Sequence, residues 1–213
     1  MYATDELLAD STQLEAVVNQ SAGEELDFMV NDDILNGTGA GMLSGVLNSA
    51  ALISVPAESG QPAATIEYNN LTKMWARLHP RSRSKAVWFI NQDVNPELDN
   101  LALAVGTGAI PANYITYGPD GVMRIKGRPV VETEFNATLG TVGDILLADM
   151  SDYLMWQKGG VQSASSIHVQ FLTDQTVFRF IYRVDGQPAT HSALTPYKGS
   201  NTVSPYVALA TRS

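Results

Sequence analysis

A mixed α+β fold is predicted by three features of this sequence. Residues 11–34 carry one long helical pattern, "KAVWFINQ" is a continuous apolar run rich in β-formers, and the segment "SSIHVQFLTDQTVFRFIYRVDGQPAT" alternates apolar and polar side chains twice over.

Each element has a local cause. Asp10 stands as N-cap to a helix running from Ser11 to about Ile34. Leu14, Val17, Val18, Ser21, Leu26 and Met29 fall near one face of it, and Glu15, Gln20, Glu24 and Glu25 fall off that face. Gly23 interrupts it weakly, and the glycines of "NGTGAGMLSG" stop it. A short strand, "AALISV", and a loop, "PAESGQPAA", follow. A second helix is expected from Tyr68 to Leu78, closed off by Pro80. "KAVWFINQ" reads as a buried strand, and "NPELDNLALAV" as a helix with Pro96 in its first turn. "ANYITYGPDGVMRIKGRPVV" reads as two strands joined at Gly118-Pro119-Asp120-Gly121. In the last pair, Ile167, Val169 and Phe171 share one face of the first strand. Phe178, Phe180, Tyr182 and Val184 share a face of the second, opposite Arg179 and Arg183, and Asp185-Gly186 supplies a closing turn.

With 213 residues, 45% of them hydrophobic and 16% charged, the chain can bury a core. It has no cysteine, which removes disulfide and thiolate chemistry. No apolar run approaches the length of a membrane-spanning helix, and "MYATDELLADS" lacks the basic end and apolar stretch of a signal peptide. A net charge of −9 argues against a dedicated nucleic-acid binder. The one basic cluster is "KMWARLHPRSRSK", with Lys73, Arg77, Arg81, Arg83 and Lys85 around Trp75. It reads as a solvated helix end and loop, with a nucleic-acid patch as the alternative.

Residues with catalytic potential form no constellation. Gly37, Gly39, Gly41 and Gly45 follow a helix instead of a strand and lack dinucleotide-binding spacing. His79, His168 and His191 are far apart and form no metal-type pair, and no serine sits in a nucleophile elbow. Glu132 and Glu134 are two apart on a strand-like run and could pair as glycosidase acids do. With Asp149 they keep open the reading of a small acid-dependent hydrolase. "IKGRPVVETEF" itself reads as wall: Gly127 permits a tight turn, Arg128 follows, and Pro129 fixes the backbone at a strand start.

The order of these motifs resembles the tailed-bacteriophage major capsid protein family, whose fold is shared with encapsulins. "DELLADSTQLEAVVN" is similar to the family's spine-helix entry, and "NDDILNGTGAGMLSGVLN" to the end of that helix and its glycine-rich loop. "KAVWFINQDVNPELDNL", "IKGRPVVETEF", "LGTVGDILLADMSDYLMWQKGGVQ" and "FLTDQTVFRFIYRVDGQPATHSAL" resemble the strands and helix that follow, in the family's order. Ala148-Asp149 departs from a frequent Gly-Asp.

The resemblance implies a two-lobed capsid fold with a long spine helix and mixed sheets, lacking the family's N-terminal arm and extended loop. The peripheral lobe would be residues 1–35 plus about 153–185, and the axial lobe about 36–152 plus 186–213. It implies self-association into pentamers and hexamers when full length, enclosing packaged DNA non-specifically, with weak or no shell formation without the arm. It implies a place in the virion capsid, and in the host cytoplasm during assembly. It implies no catalysis, cofactor, metal, membrane or small-molecule substrate. Gly37, Gly39 and Gly41, and Gly118, Pro119, Asp120 and Gly121, would be loop tips able to face a symmetry axis. An encapsulin-type compartment shell is the alternative reading.

Overall fold

The computed structural model describes residues 2–4, 13–105, 108–111 and 115–212. The predicted cap, Asp10, and the helix start at Ser11 lie outside them, as do residues 112–114 of the predicted strand.

A seven-stranded mixed sheet forms the centre, in the order β2-β14-β9-β3-β8-β7-β6. Its strands are β2 (Ile53–Val55), β3 (Val87–Ile90), β6 (Ile115–Tyr117), β7 (Met123–Ile125), β8 (Arg128–Glu132), β9 (Ile145–Ala148) and β14 (Tyr206–Leu209). β3 pairs parallel with β8, and β14 with β2; the remaining pairs are antiparallel. Every residue of β9 and β14 is buried, because both faces of the sheet are covered. Ile145, Leu147, Val207 and Leu209 point to the core under helix α2 (Tyr68–Arg77), which supplies Leu71 and Met74. Leu146, Ala148, Tyr206 and Ala208 point to the opposite core, which receives Leu35 from the end of helix α1 (Leu14–Asn36).

α2 matches its expected span, less one residue at the end. Its N-terminus is held by Asn70, whose side-chain oxygen accepts from the Glu67 backbone N–H at 2.8 Å. The helix predicted from Asn95 is only α3 (Asn95–Asp99); Ala102–Val105 is instead strand β4, paired with β5 (Gly108–Pro111). Asn100, a poor helix former, marks the break.

Two smaller sheets complete the chain. β1 (Tyr2–Thr4), β12 (Gln175–Ile181) and β11 (Gln162–Gln170) form one, and β10 (Tyr153–Gln157) and β13 (Val184–Pro188) the other. Asp185-Gly186 is therefore not a turn. Both residues lie inside β13, opposite Trp156 and Met155. Pairing to β10 overrides the local turn preference, and Gly186 is required because a Cβ there would meet the Tyr153 ring at 2.8 Å.

Two predicted apolar faces are not buried in the single chain. On α1, Val18 is buried but Val17 and Met29 are more than half exposed. On β11, Ile167 and Val169 are exposed. Phe171, expected on the same strand, sits in a 3-10 turn (Phe171–Thr173) and is 74% exposed. Periodicity locates an apolar face without saying what covers it.

Candidate assembly surface

The glycine-rich segment after α1 is a closed loop. Gly37 is buried and ends the helix, its N–H donating to the Asp33 carbonyl at 2.8 Å. A Cβ on Gly37 would collide with the Leu43 carbonyl oxygen. Gly37 thus anchors the loop, and Gly39 and Gly41, both exposed at positive φ, form its tip. The base is tied by Gly45 N–H to the Gly37 carbonyl, and by Ser44 N–H to the Gly186 carbonyl, each at 2.8 Å.

The Tyr153 hydroxyl donates to the Ser44 carbonyl at 3.1 Å, joining β10 to the same loop. Burial, with the Asp185 and Asp33 charges, pushes its pKa up to about 12. The fold therefore favours the neutral phenol. That contribution is complete below the ordinary pKa of 10.0 and is lost as pH rises through about 12. Thermal melts of Tyr153→Phe should fall less steeply over this alkaline window than those of the unsubstituted chain.

Gly118-Pro119-Asp120-Gly121 forms the exposed β6–β7 turn. Gly121 N–H donates to the Gly118 carbonyl at 2.9 Å, and Gly118 N–H to the Val122 carbonyl at 3.0 Å. The Val122 N–H and the Arg124 guanidinium, at 3.3 and 2.9 Å, hold the Asp120 carboxyl below its usual range.

The predicted two-strand segment contains three strands, because Lys126-Gly127 makes a second turn. Both residues have positive φ, 52° and 72°, and Ile125 pairs with Arg128 across them, as in a tight two-residue hairpin. Pro129 precedes the first β3–β8 partners, Trp88 and Val130, so its missing N–H removes no bond from that ladder. The Arg128 guanidinium donates to the Ser84 carbonyl. A Cβ on Gly127 would meet nothing within 4 Å. Gly127→Ala should therefore carry only the backbone penalty, about 1 kcal/mol by chemical denaturation.

The acids do not gather. Glu132 ends β8 opposite Ile90, Glu134 lies beyond the strand, and both are exposed beside an open groove. Ala148, which precedes Asp149, pairs with Val87 at the other end of β3. β8 and β9 flank β3 on opposite sides, so the backbones at Glu132 and Ala148 are roughly 14 Å apart from strand rise and spacing. Asp149 is buried, and its carboxylate accepts from the Ser151 N–H at 3.1 Å and the Ser151 hydroxyl at 2.7 Å. These are the bonds of a helix cap. His168 is exposed on β11. No group of three or more metal-ligating side chains occurs among the described residues.

The basic cluster divides. Lys73 pairs with Glu58 at 2.6 Å, and Arg77 donates to the Thr202 carbonyl and hydroxyl, each at 2.6 Å. Arg81, Arg83 and Lys85 continue into the loop that meets the Lys126-Gly127 turn. Sequence reading missed that junction, because Trp75 and Lys126 are 51 positions apart.

The Phage capsid family model matches residues 1–199, and this chain belongs to that family. Among solved structures it is similar to the "capsid of empty GTA particle computed with C5 symmetry", with TM-score 0.74 and 14% identity over 100% of this chain and 71% of that one. The capsid of the native GTA particle gives TM-score 0.70 at 13% identity, covering 100% and 71%. The "satellite phage P4 procapsid including size determination (Sid) protein" gives 0.55 at 8%, covering 99% and 74%. No curated protein matches. The fold is thus the α+β phage capsid fold, and the chain is a structural capsid protein.

Proposed function

We propose that copies of this chain tile as pentamers and hexamers into an icosahedral shell that encloses DNA, assembling in the cytoplasm of a bacterial host. The supporting observation is the apolar surface one copy leaves open. It includes Val17, Phe28 and Met29 on α1, and Met155 and Trp156 on β10. Exposed apolar side chains grouped along one helix and one strand suit contacts with other macromolecules. No helix among the described residues is long and apolar enough to cross a membrane.

The peripheral lobe is residues 1–35 with about 153–185, and the axial lobe about 36–152 with 186–213. β13 straddles the boundary at 186 and hydrogen-bonds to β10. The tips at Gly39-Gly41 and at Gly118–Gly121 project from the axial lobe, where they can meet around a symmetry axis. The net charge of −9 suits a wall that encloses nucleic acid without gripping it.

Light scattering across a concentration series, with negative-stain images of the same samples, tests this reading. Five- or six-fold rings are expected. A chain that stays monomeric throughout overturns the claim that these surfaces carry assembly.

A further inference from the structure

Five cations lie on two adjoining loops of this acidic chain. Arg81, Arg83 and Lys85 lie on the loop after α2, and Lys126 and Arg128 at the β7–β8 turn. The two loops are fastened together by the bond from Arg128 to the Ser84 carbonyl. Arg83 and Lys126 also stand over the same Trp75 ring, 5.7 and 5.8 Å from its centroid. A cation–π contact offsets part of their mutual repulsion and leaves the charge in place. Burial, and then the Arg83 charge, pull the Lys126 ammonium below its ordinary pKa.

Among the described residues the ion pairs are Lys73–Glu58, Arg124–Asp120 and Arg212–Asp144, so Arg81, Arg83, Lys85 and Arg128 take part in none. The Arg83 Nε is buried without an acceptor. These five are more than a third of the chain's 13 cations. The Lys85 ammonium donates to the Ser151 hydroxyl at 3.4 Å, and that hydroxyl in turn bonds Asp149.

α1 has the opposite character. Its 23 residues hold six acids and no lysine or arginine. Glu24, Glu25 and Asp27 are exposed at its middle, beside exposed Phe28 and Met29.

We infer that the patch of Arg81, Arg83, Lys85, Lys126 and Arg128 around Trp75 receives the acidic middle of α1 from a second copy of this chain. The inference rests on the shell reading and names one of its contacts. Guanidinium groups can bind the carboxylates in charge-assisted pairs, and exposed Met29 beside them can add an apolar contact. Patch and helix are different surfaces, so a single such contact between two copies is head-to-tail and can repeat around a ring. Being exposed, it is screened by salt.

Two charge-reversed full chains test it by sedimentation velocity at low and high salt: Arg81→Glu/Lys85→Glu and Glu24→Lys/Glu25→Lys. All four positions are exposed, and circular dichroism melts check that both variants fold. Arg81→Gln/Lys85→Gln, which removes charge without reversing it, should show a smaller loss. The wild type is expected to associate at low salt and to weaken with added salt. Each reversed variant alone should associate at least about tenfold more weakly, and an equimolar mixture should recover. Reversed variants that associate like the wild type overturn the inference and leave the shell reading standing. A mixture that recovers nothing overturns the pairing with α1. A patch variant that keeps self-association but loses binding to a double-stranded DNA oligonucleotide overturns it in favour of a nucleic-acid surface. A wild type that never associates overturns the shell reading as well.

Discussion

Asp144→Ala is expected to lower the free energy of unfolding by about 3–5 kcal/mol, a large part of the total for an ordinary domain. Asp144 and Arg212 form an ion pair in which both side chains are fully buried. The Asp144 carboxylate also accepts from the Gly140 N–H at 2.9 Å and the Ile145 N–H at 2.8 Å. The Arg212 guanidinium, which meets both Asp144 oxygens, also donates to the Ala210 carbonyl at 3.1 Å, and its backbone N–H bonds to the Gly140 carbonyl at 2.9 Å. Together these bonds lock the chain after β14 onto the turn that opens β9. Removing the carboxylate leaves a guanidinium in the interior without a counter-charge, and two N–H groups without an acceptor. Arg212→Ala leaves the carboxylate with its two N–H donors, so its loss should be smaller. The double variant should lose less than the sum of the two, because the second deletion removes the stranded charge. Urea unfolding of the three variants measures all of this. A loss below about 1 kcal/mol for Asp144→Ala would show that the pair is not what holds this junction.

None of that junction was legible in the sequence, since its partners are 68 positions apart and each looks like one more surface charge. β14 was missed for a related reason. "YVAL" is too short to show a period, and it becomes a strand because β2 and β9 sandwich it. Elements whose cause is local were legible: α2 with its proline stop, β3 with its unbroken β-formers, and the glycine turn before β8. The helical stretch of α1 was also legible, but not which side is covered. Val17 and Met29 stay more than half exposed among the described residues. β11 misled in the same way, with alternation expected of a core strand on a surface left open. The candidate patch was half legible. "KMWARLHPRSRSK" drew attention to the cations, but two of them are held by Glu58 and Thr202. The turn that completes the patch arrives only through the β7–β8 hairpin.

Trp88→Ala should cost about 3–5 kcal/mol, the range for deleting a large aromatic side chain from a packed core. Trp88 is fully buried on β3, between Val130 of β8 and Leu147 of β9 in the register of the sheet. Its indole N–H donates to the Ile125 carbonyl at 3.1 Å, so the side chain both fills the core and holds the residue that enters the Lys126-Gly127 turn. Trp88→Phe separates the two roles. It keeps most of the ring volume and loses the donor, leaving a buried carbonyl short of one partner, for about 1–3 kcal/mol. If the indole supports the turn, Trp88→Phe and Gly127→Ala act on one unit. Their combined effect should then depart from the sum by about 0.5 kcal/mol or more, measured by urea unfolding of the two single variants and the double. Strict additivity would mean that the hairpin is held by its own ladder and by the link from Arg128 to Ser84. The large loss in Trp88→Ala would then come from the cavity alone.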